Sequence, residues 1–322
     1  MKRIAITGAN GFVGKALCRR LKEEGNFVRA IIRASNGLSR GDVDELCVIG
    51  DIDAPVEWSA LLSGVDVVIH LAARAHILKE CSDDPLSAFR AVNTDATLRL
   101  GDAAQSVGVK RFVFLSSIGV NGTSTLGRSF SELDTPSPAS DYAISKWEAE
   151  QGLFQLCSMG GMELVVIRPP LIYGPGAPGN FRVMLDWLNK GIPLPLGAVH
   201  NKRSLVGITN LADLITVCIS HADAAGQVFL AGDGQDVSTS ELLRLLGAAI
   251  GKPARLVPLP ASMLQFGARM LGKSDLSTRL LSSLQVDISK AKTLLNWHPP
   301  VGLEAGLRDT AAAYMQLNEA SS

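Results

Sequence analysis

Three glycines within the first fourteen residues constrain this chain more than any other feature. The segment Thr7-Gly8-Ala9-Asn10-Gly11-Phe12-Val13-Gly14 follows the apolar run Lys2–Thr7, which reads as a strand. It opens a stretch reaching Glu24 in which Val13, Leu17 and Leu21 fall on one helical face. A strand, a glycine turn and a helix in that order form a βα unit that accepts a dinucleotide. Gly8 permits the tight turn and Gly11 lets the backbone approach a pyrophosphate. Gly14 lets helix and strand pack closely, and the helix N-terminus meets the anion. Asn10, Phe12 and Val13, between these glycines, belong with them as candidate cofactor contacts.

The alternation continues. Phe27–Arg33, Glu45–Gly50, Val65–Ala72, Arg111–Ser117 and Glu163–Arg168 read as strands, and Asp95–Ser106 and Tyr142–Met159 as helices. Strands that are continuous Val/Ile/Leu runs are buried on both faces, as in a parallel sheet covered by helices on each side. The expected class is α/β, a doubly wound parallel sheet of the Rossmann type with a smaller, mainly helical C-terminal substrate lobe. After Pro169-Pro170 the texture changes, and Gly and Pro thicken through Pro195. This places a dinucleotide-binding domain over 1–170, with one segment returning to it near 205–220, and a substrate lobe over 171–322. Leu242–Ile250, Ala261–Leu271 and Ile288–Leu295 are the helices expected in that lobe. The stripe Met263, Leu264, Phe266, Gly267, Met270, Leu271 has helical spacing and is expected to pack in the core; a peripheral membrane helix is the second reading, set well behind because this one short stripe lacks a Lys/Arg-rich polar face.

Composition removes several function classes. Of 322 residues 47% are hydrophobic, enough for a large core. Lys+Arg 31 against Asp+Glu 31 leaves no cationic surplus for a phosphate backbone, so no nucleic-acid partner is expected. A mean hydropathy of +0.20 invites a search for membrane spans, but no run approaches the roughly 20 apolar residues that a span requires. The basic start Met1-Lys2-Arg3 precedes an apolar run too short for a leader. Five scattered cysteines offer neither a disulfide framework nor a metal site and point to a reducing, cytoplasmic setting.

The second strand bears on the choice of dinucleotide. An NAD site commonly carries a carboxylate about 20 residues beyond the glycines; here that place holds Arg33, followed by Ala34-Ser35. A guanidinium and a hydroxyl suit a 2′-phosphate, so NADP(H) is favoured, with NAD(H) the alternative. Asp51, with Ile52 beside it, follows the third strand and is placed to accept a bond from an adenine amino group, or else serves as a turn residue.

Two further elements carry chemistry. Tyr142 and Lys146 lie four apart on a helix and so share a face. A phenol near pKa ~10 is a poor proton exchanger at neutral pH; a neighbouring ammonium favours the phenolate and lowers that value. The fifth strand ends at Ser116-Ser117, where a hydroxyl can reach a reacting carbonyl or alcohol. Each pattern alone is common: the first also describes an amphipathic helix, the second a turn.

Taken together, the glycines at 8, 11 and 14, the serines at 116–117 and Tyr142/Lys146 resemble the extended short-chain dehydrogenase/reductase family across nearly the whole chain. The resemblance implies further residues. His70-Leu71-Ala72-Ala73 resembles the family's fourth-strand signature, which brings Leu71, Ala72 and Ala73 to the cofactor. Asn93 resembles its central Asn. Arg168-Pro169-Pro170-Leu171-Ile172-Tyr173-Gly174-Pro175 resembles the segment near the nicotinamide, and Pro169 is its cofactor contact. Leu295-Asn296-Trp297-His298-Pro299 resembles a C-terminal signature. From nucleotide-sugar members, Asn180 and Arg203 are implied at a substrate diphosphate, with Asn210 in place of the usual Asp; Arg279 is a loose match for a ribose-binding Arg.

The same resemblance bears on the reaction. Sugar-nucleotide dehydratases place an Asp-Glu pair where this chain has Ile118-Gly119, so dehydration is not expected. The segments around Arg74 and His76, Phe89–Asn93 and Ile118–Gly122 resemble bacterial UDP-4-keto-6-deoxy-N-acetylhexosamine 4-reductases of O-antigen and lipopolysaccharide precursor synthesis. That implies a UDP-sugar substrate in contact with Arg74, His76, Ser117 and Ile118. Its implied chemistry is hydride delivery to C4, with Tyr142 as acid, Ser117 orienting the oxygen and Lys146 supporting Tyr142. A nucleotide-sugar 4-epimerase with tightly bound NAD, a reductase of flavonoid-like or steroid-like substrates and a non-catalytic NADP(H)-sensing regulator are the alternatives. Family members often form homodimers through the helices here at 95–106 and 142–159.

Overall fold

The structure, a computed structural model, describes residues 1–39, 41–75, 84–270, 278 and 280–319. Seven strands make the large sheet: β1 (Arg3–Thr7), β2 (Phe27–Ile32), β3 (Glu45–Val48), β4 (Val67–His70), β5 (Arg111–Leu115), β6 (Glu163–Arg168) and β9 (Gln227–Leu230). Their order is β3-β2-β1-β4-β5-β6-β9 and every pairing is parallel. The order reverses between β1 and β4, so the crevice beyond the C-terminal ends of these strands is the switch point where such sheets take ligands. Thr7 ends β1 directly opposite His70 of β4.

Side chains alternate across the sheet, as a pleated strand requires. Ile4, Ile6, Val28 and Val113 meet one face, with Leu17 and Leu21 of α1 (Phe12–Glu23) and Leu211, Leu214 and Ile215 of α7 (Ile208–Ser220). Ala5, Val68, Phe112 and Phe114 meet the other, with Trp58 and Leu62 of α2 (Trp58–Leu62), Leu100 of α4 (Ala96–Ser106) and Leu153 of α5 (Asp141–Ser158). α4 and α5 nest through glycines: a Cβ on Gly152 would stand 2.5 Å from Leu98, and one on Gly101 2.8 Å from Leu153. A wide π-helical turn, Ala91–Asp95, joins α3 (Pro85–Arg90) to α4.

The second lobe has its own core. It is built from α6 (Asn180–Asn189), α8 (Thr239–Ala249), α11 (Leu303–Glu319) and part of α9 (Ala261–Met270). A small sheet of order β10-β8-β7 bridges the lobes, with β7 at Leu171–Tyr173, β8 at Arg203–Gly207 and β10 at Asp236–Val237. One further helix, α10 (Ser289–Leu295), packs on the large sheet through Ala291 and Leu295. After 170 the chain comes back to the large sheet as the helix α7 against α1, as the strand β9 beside β6 and as α10.

The lobes are bolted at a half-buried carboxylate. Asp233 accepts bonds from the Tyr173 hydroxyl (2.7 Å), the Gly207 amide (2.9 Å) and the Asn210 side chain (2.7 Å). Asn210 also exchanges two bonds with the backbone of Val301 (2.8 and 2.9 Å). Burial holds the Asp233 carboxyl above the usual carboxylate range. Asn210 therefore acts through amide hydrogen bonds, donating and accepting together, which an Asp at that place would not do.

The doubly wound sheet and its order of elements agree with the sequence. The small sheet and α11 are not anticipated there. One expectation is overturned: of the stripe on α9, only Leu264 packs against the lobe core, and Met263, Phe266 and Met270 face solvent. Leu271 lies outside the described residues.

Candidate active site

The glycine turn has the shape its sequence implies. Gly8 takes φ +67° and touches the Leu71-Ala72 backbone so closely that a Cβ would sit 2.8 Å from the Ala72 nitrogen. A Cβ on Gly14 would lie 2.4 Å from the Gly8 carbonyl. Gly11 caps α1 with extended backbone, and no acidic residue occupies the first turn to oppose an anion at that end. This cradle, closed to side chains and open to a helix N-terminus, fits a dinucleotide pyrophosphate. Phe12 and Val13 begin α1, and Asn10 reaches across to the Asn36 backbone at 3.2 Å and its side chain at 3.0 Å. Asn10 thereby holds the loop after β2 against the turn.

Beyond β2 the geometry is less committed. Arg33 and Asp51 are largely exposed, with side chains 77% and 70% accessible, and their charges stand 3.7 Å apart. Ser35 is exposed, and Ile52 is half-buried against the sheet's outer core. The Arg33 cation thus faces a carboxylate.

The floor between the glycine turn and α5 is a buried polar layer. His70 is fully buried; its Nδ1 lies 2.6 Å from the Thr7 hydroxyl and its Nε2 2.8 Å from that of Thr97. The Thr97 hydroxyl donates its own hydrogen to the Asn93 carbonyl at 2.7 Å. Nε2 must therefore carry the ring proton and Nδ1 accept from Thr7. Burial, helped by the Lys146 charge, pushes the His70 imidazole down to about 3. Its ring stacks on Phe114, with centroids 5.8 Å apart, and the Lys146 ammonium lies 4.2 Å from the centre of Phe114's ring.

Asn93 sits on the π-helical turn and is wholly buried. Its amide clamps both backbone polar groups of Arg74, at 2.8 and 3.2 Å, and donates to Ser145 at 3.0 Å. Ser145 in turn donates to the Tyr142 carbonyl at 2.8 Å. One side chain thus ties the loop after β4, where Leu71, Ala72 and Ala73 lie, to the first turn of α5. Phe89 meets Tyr142 edge-on at 6.2 Å, and the Arg74 guanidinium covers the Phe89 ring at 5.5 Å.

Tyr142 and Lys146 stand one turn apart at the start of α5, which Ser140 caps by accepting from the Ala143 amide. Ser117 follows β5 and accepts from the Gly119 amide at 3.1 Å, which leaves its own hydrogen to donate elsewhere. Gly119 brings this turn onto α5: a Cβ there would lie 3.3 Å from both Ala143 and the Ser117 hydroxyl. Ile118 donates its amide to the Pro169 carbonyl at 3.0 Å, tying the turn to the end of β6.

The electrostatics differ from the sequence expectation. Burial pushes the Tyr142 hydroxyl up to about 12, and Lys146 does not figure among the causes. Burial pulls the Lys146 ammonium down to about 7, with Glu150 opposing. Within the protein alone, desolvation outweighs the attraction of cation for phenolate.

Glu150, two turns along α5 from Tyr142, was not singled out in the sequence. It is wholly buried and pairs with Arg168 at 2.5 Å while accepting from the Ser116 hydroxyl. Arg168 also donates to Asn121 at 2.9 Å. The spacing Tyr142-Lys146-Glu150 puts a carboxylate on the buried stripe of α5, and this was the signal available. Of the implied substrate residues, Arg203 opens β8 and donates to the Ser282 carbonyl at 3.1 Å. Asn180 opens α6. His76 and Arg279 lie outside the described residues.

Glycine cradle, switch-point crevice and Tyr/Lys helix define a nucleotide-dependent enzyme architecture, and the chain belongs to the NAD dependent epimerase/dehydratase family, which it matches over residues 4–232. It is 44% identical over 320 residues to a Vibrio cholerae protein named UDP-glucose 4-epimerase, covering 98% of this chain and 97% of that one. Among solved structures it is similar to Pal from Bacillus thuringiensis, with TM-score 0.80, 27% identity and coverage of 98% and 99%. It shares its fold with MoeE5 in complex with UDP-glucose and NAD, with TM-score 0.79, 23% identity and coverage of 98% and 99%. No described helix is long and apolar enough to cross a membrane.

Proposed function

We propose that this protein is an NAD-dependent nucleotide-sugar 4-epimerase, acting on a UDP-hexose or its N-acetyl form. The observation that carries this reading is the end-to-end similarity, at 44% identity, to a protein named UDP-glucose 4-epimerase. It favours epimerisation over the net reduction of a 4-keto sugar implied by the segments around Arg74 and Phe89. NAD is preferred to NADP(H), because Arg33 already faces Asp51 and the similarly folded MoeE5 is in complex with NAD.

In this reading Gly8, Gly11 and Gly14 take the pyrophosphate, with Asn10, Phe12 and Val13 beside them. Asp51 and Ile52 border the adenine, and Leu71–Ala73, Asn93 and Pro169 border the rest of the cofactor. NAD, when bound, supplies a hydride acceptor and a positive ring charge that favours the phenolate form of a tyrosine. Tyr142 takes the proton from the C4 hydroxyl as the carbon loses its hydride, and returns that proton when the hydride comes back on the other face. Ser117 donates to the same oxygen and orients it. Lys146, drawn down by burial to about 7, holds a ribose hydroxyl and supplies charge to Tyr142. Arg203 and the start of α6 at Asn180 hold the diphosphate, Arg74, His76 and Ile118 border the sugar, and Arg279 borders the ribose. Domains divide near 170, and α4 and α5 form the contact of a homodimer, which light scattering tests directly.

The decisive measurement is proton NMR of UDP-glucose and UDP-N-acetylglucosamine incubated with purified protein and no added nicotinamide. Appearance of the galacto epimer, with NAD released on denaturing the protein, is the expected result. Stoichiometric oxidation of NAD(P)H by a UDP-4-keto-6-deoxy sugar, without epimerisation of either UDP-hexose, would instead establish the reductase.

A further inference from the structure

Among the described residues Glu150 is the one carboxylate with no solvent access; every other Asp or Glu there is at least partly exposed. Buried cations are nearly as rare. Lys146 and Arg168 stand beside Glu150, while Arg111, at the start of β5, caps the far end of α7. Burying a charge is costly unless it is paired and hydrogen-bonded. Arg168 provides the pairing, with its Nε donating to Glu150 Oε1 at 3.0 Å and its Nη2 to Oε2 at 2.5 Å. An ion pair of that kind is often replaceable by apolar side chains without loss of stability, so folding by itself does not call for the carboxylate.

Its position ties it to the candidate site. Tyr142, Lys146 and Glu150 follow one another at intervals of four along α5, so the carboxylate shares a face with the other two. It also accepts from the hydroxyl of Ser116, the residue before Ser117. Arg168, its partner, is the residue before Pro169. The ends of β5 and β6 thus meet α5 at this one carboxylate. The other groups placed toward Lys146 among the described residues bring no negative charge. From β4, His70 is neutral; from β5, the Phe114 ring lies 4.2 Å away; from β6, Arg168 is a cation that Glu150 already holds. Beyond Arg168, Lys290 of α10 is a further cation, and Glu132 acts on it. Burial draws Lys146 down to about 7, and Glu150 is the charge that opposes this.

We propose, resting on the reading of Tyr142 as the proton-transfer group, that Glu150 is a positioning residue: its carboxylate, fixed by Ser116 and Arg168, is the counter-charge that keeps Lys146 a cation one turn from Tyr142. Without the carboxylate, desolvation discharges Lys146 and the Tyr142 phenolate loses a supporting cation. The role is the same for epimerisation and for carbonyl reduction, since both pass a proton through Tyr142.

The test is an ultraviolet phenolate titration of the NAD-loaded protein, with Tyr142→Phe as the blank. The chain has three tyrosines, and burial pushes the other two, Tyr173 and Tyr314, up, so the difference band reports Tyr142. Glu150→Gln keeps the shape and the acceptor for Ser116 and removes the charge. Its Tyr142 phenolate fraction at a given pH below the midpoint is expected to fall about tenfold or more. Its kcat near neutrality should fall by a similar factor, with KM for the UDP-sugar little changed, and Glu150→Asp should recover most of both. Equal titrations of wild type and folded Glu150→Gln overturn the proposal. If Glu150→Gln strands Arg168 and does not fold, the double variant Glu150→Gln, Arg168→Met is read in its place. A wild-type titration in the double variant, or its failure to fold, assigns the carboxylate to the fold and overturns the proposal as well. The titration needs no substrate, so a wild-type protein that epimerises neither UDP-hexose refutes the functional reading and leaves this result standing.

Discussion

Tyr142 and His70 show how strongly the interior acts on single ionisable groups. Tyr142 stands at about 12 and Lys146 at about 7, so the pair relies on added positive charge before the phenol can exchange a proton near neutrality. Replacing Tyr142 with Phe should cut turnover by about a thousandfold or more while leaving NAD retention intact, as read by NMR turnover and by cofactor released on denaturation. His70 gives a prediction on stability. Its folded value of about 3 lies below the unfolded value near ~6.5. Its contribution is therefore complete above pH ~6.5 and is lost as pH falls towards 3, because the unfolded chain takes up the proton first. Urea unfolding across that window should show stability falling by about 1 kcal/mol per pH unit from this residue, a slope that His70→Gln should reduce.

At the scale of elements, the glycine turn is the least tolerant piece of the molecule. Gly14→Ala places a methyl 2.4 Å from a backbone oxygen that cannot rotate away. It should cost about 1–3 kcal/mol of stability and abolish the rise in melting temperature on adding NAD, both read by thermal denaturation. This turn, and the strands around it, are legible in the sequence because buried parallel strands and tight turns leave local marks: unbroken Val/Ile runs and glycines at fixed spacing. Tyr142, Lys146 and Ser117 are legible for the same reason, lying within short spacings on one helix or at one strand end. The Glu150–Arg168 pair is not, since its members come from α5 and β6 and only the folded sheet brings them together. Nor is the exposure of α9, because an apolar stripe looks the same whether it meets a core or the outside. β7, β8 and β10 are short and bounded by Gly and Pro, and their pairing is set by contacts distant in sequence.

Across the whole molecule, Asp233 connects the lobes through Tyr173, Gly207 and Asn210, and Asn210 carries the connection to the segment before α11. Removing the Tyr173 hydroxyl leaves a half-buried carboxylate with one donor fewer. Tyr173→Phe should therefore cost about 1–3 kcal/mol in chemical unfolding, although residue 173 lies outside the proposed reacting centre. The wide turn at Ala91–Asp95 has a different long-range effect. It holds one residue more per turn than an ordinary helix, and that extra residue sets the rotation of everything between Asn93 and Ser106. Loss of any single residue there would let the segment relax into a regular spiral and turn Asn93 away from both the Arg74 backbone and Ser145. A one-codon deletion well removed from Tyr142 would thus disconnect the loop after β4 from the helix bearing the proposed proton-transfer group.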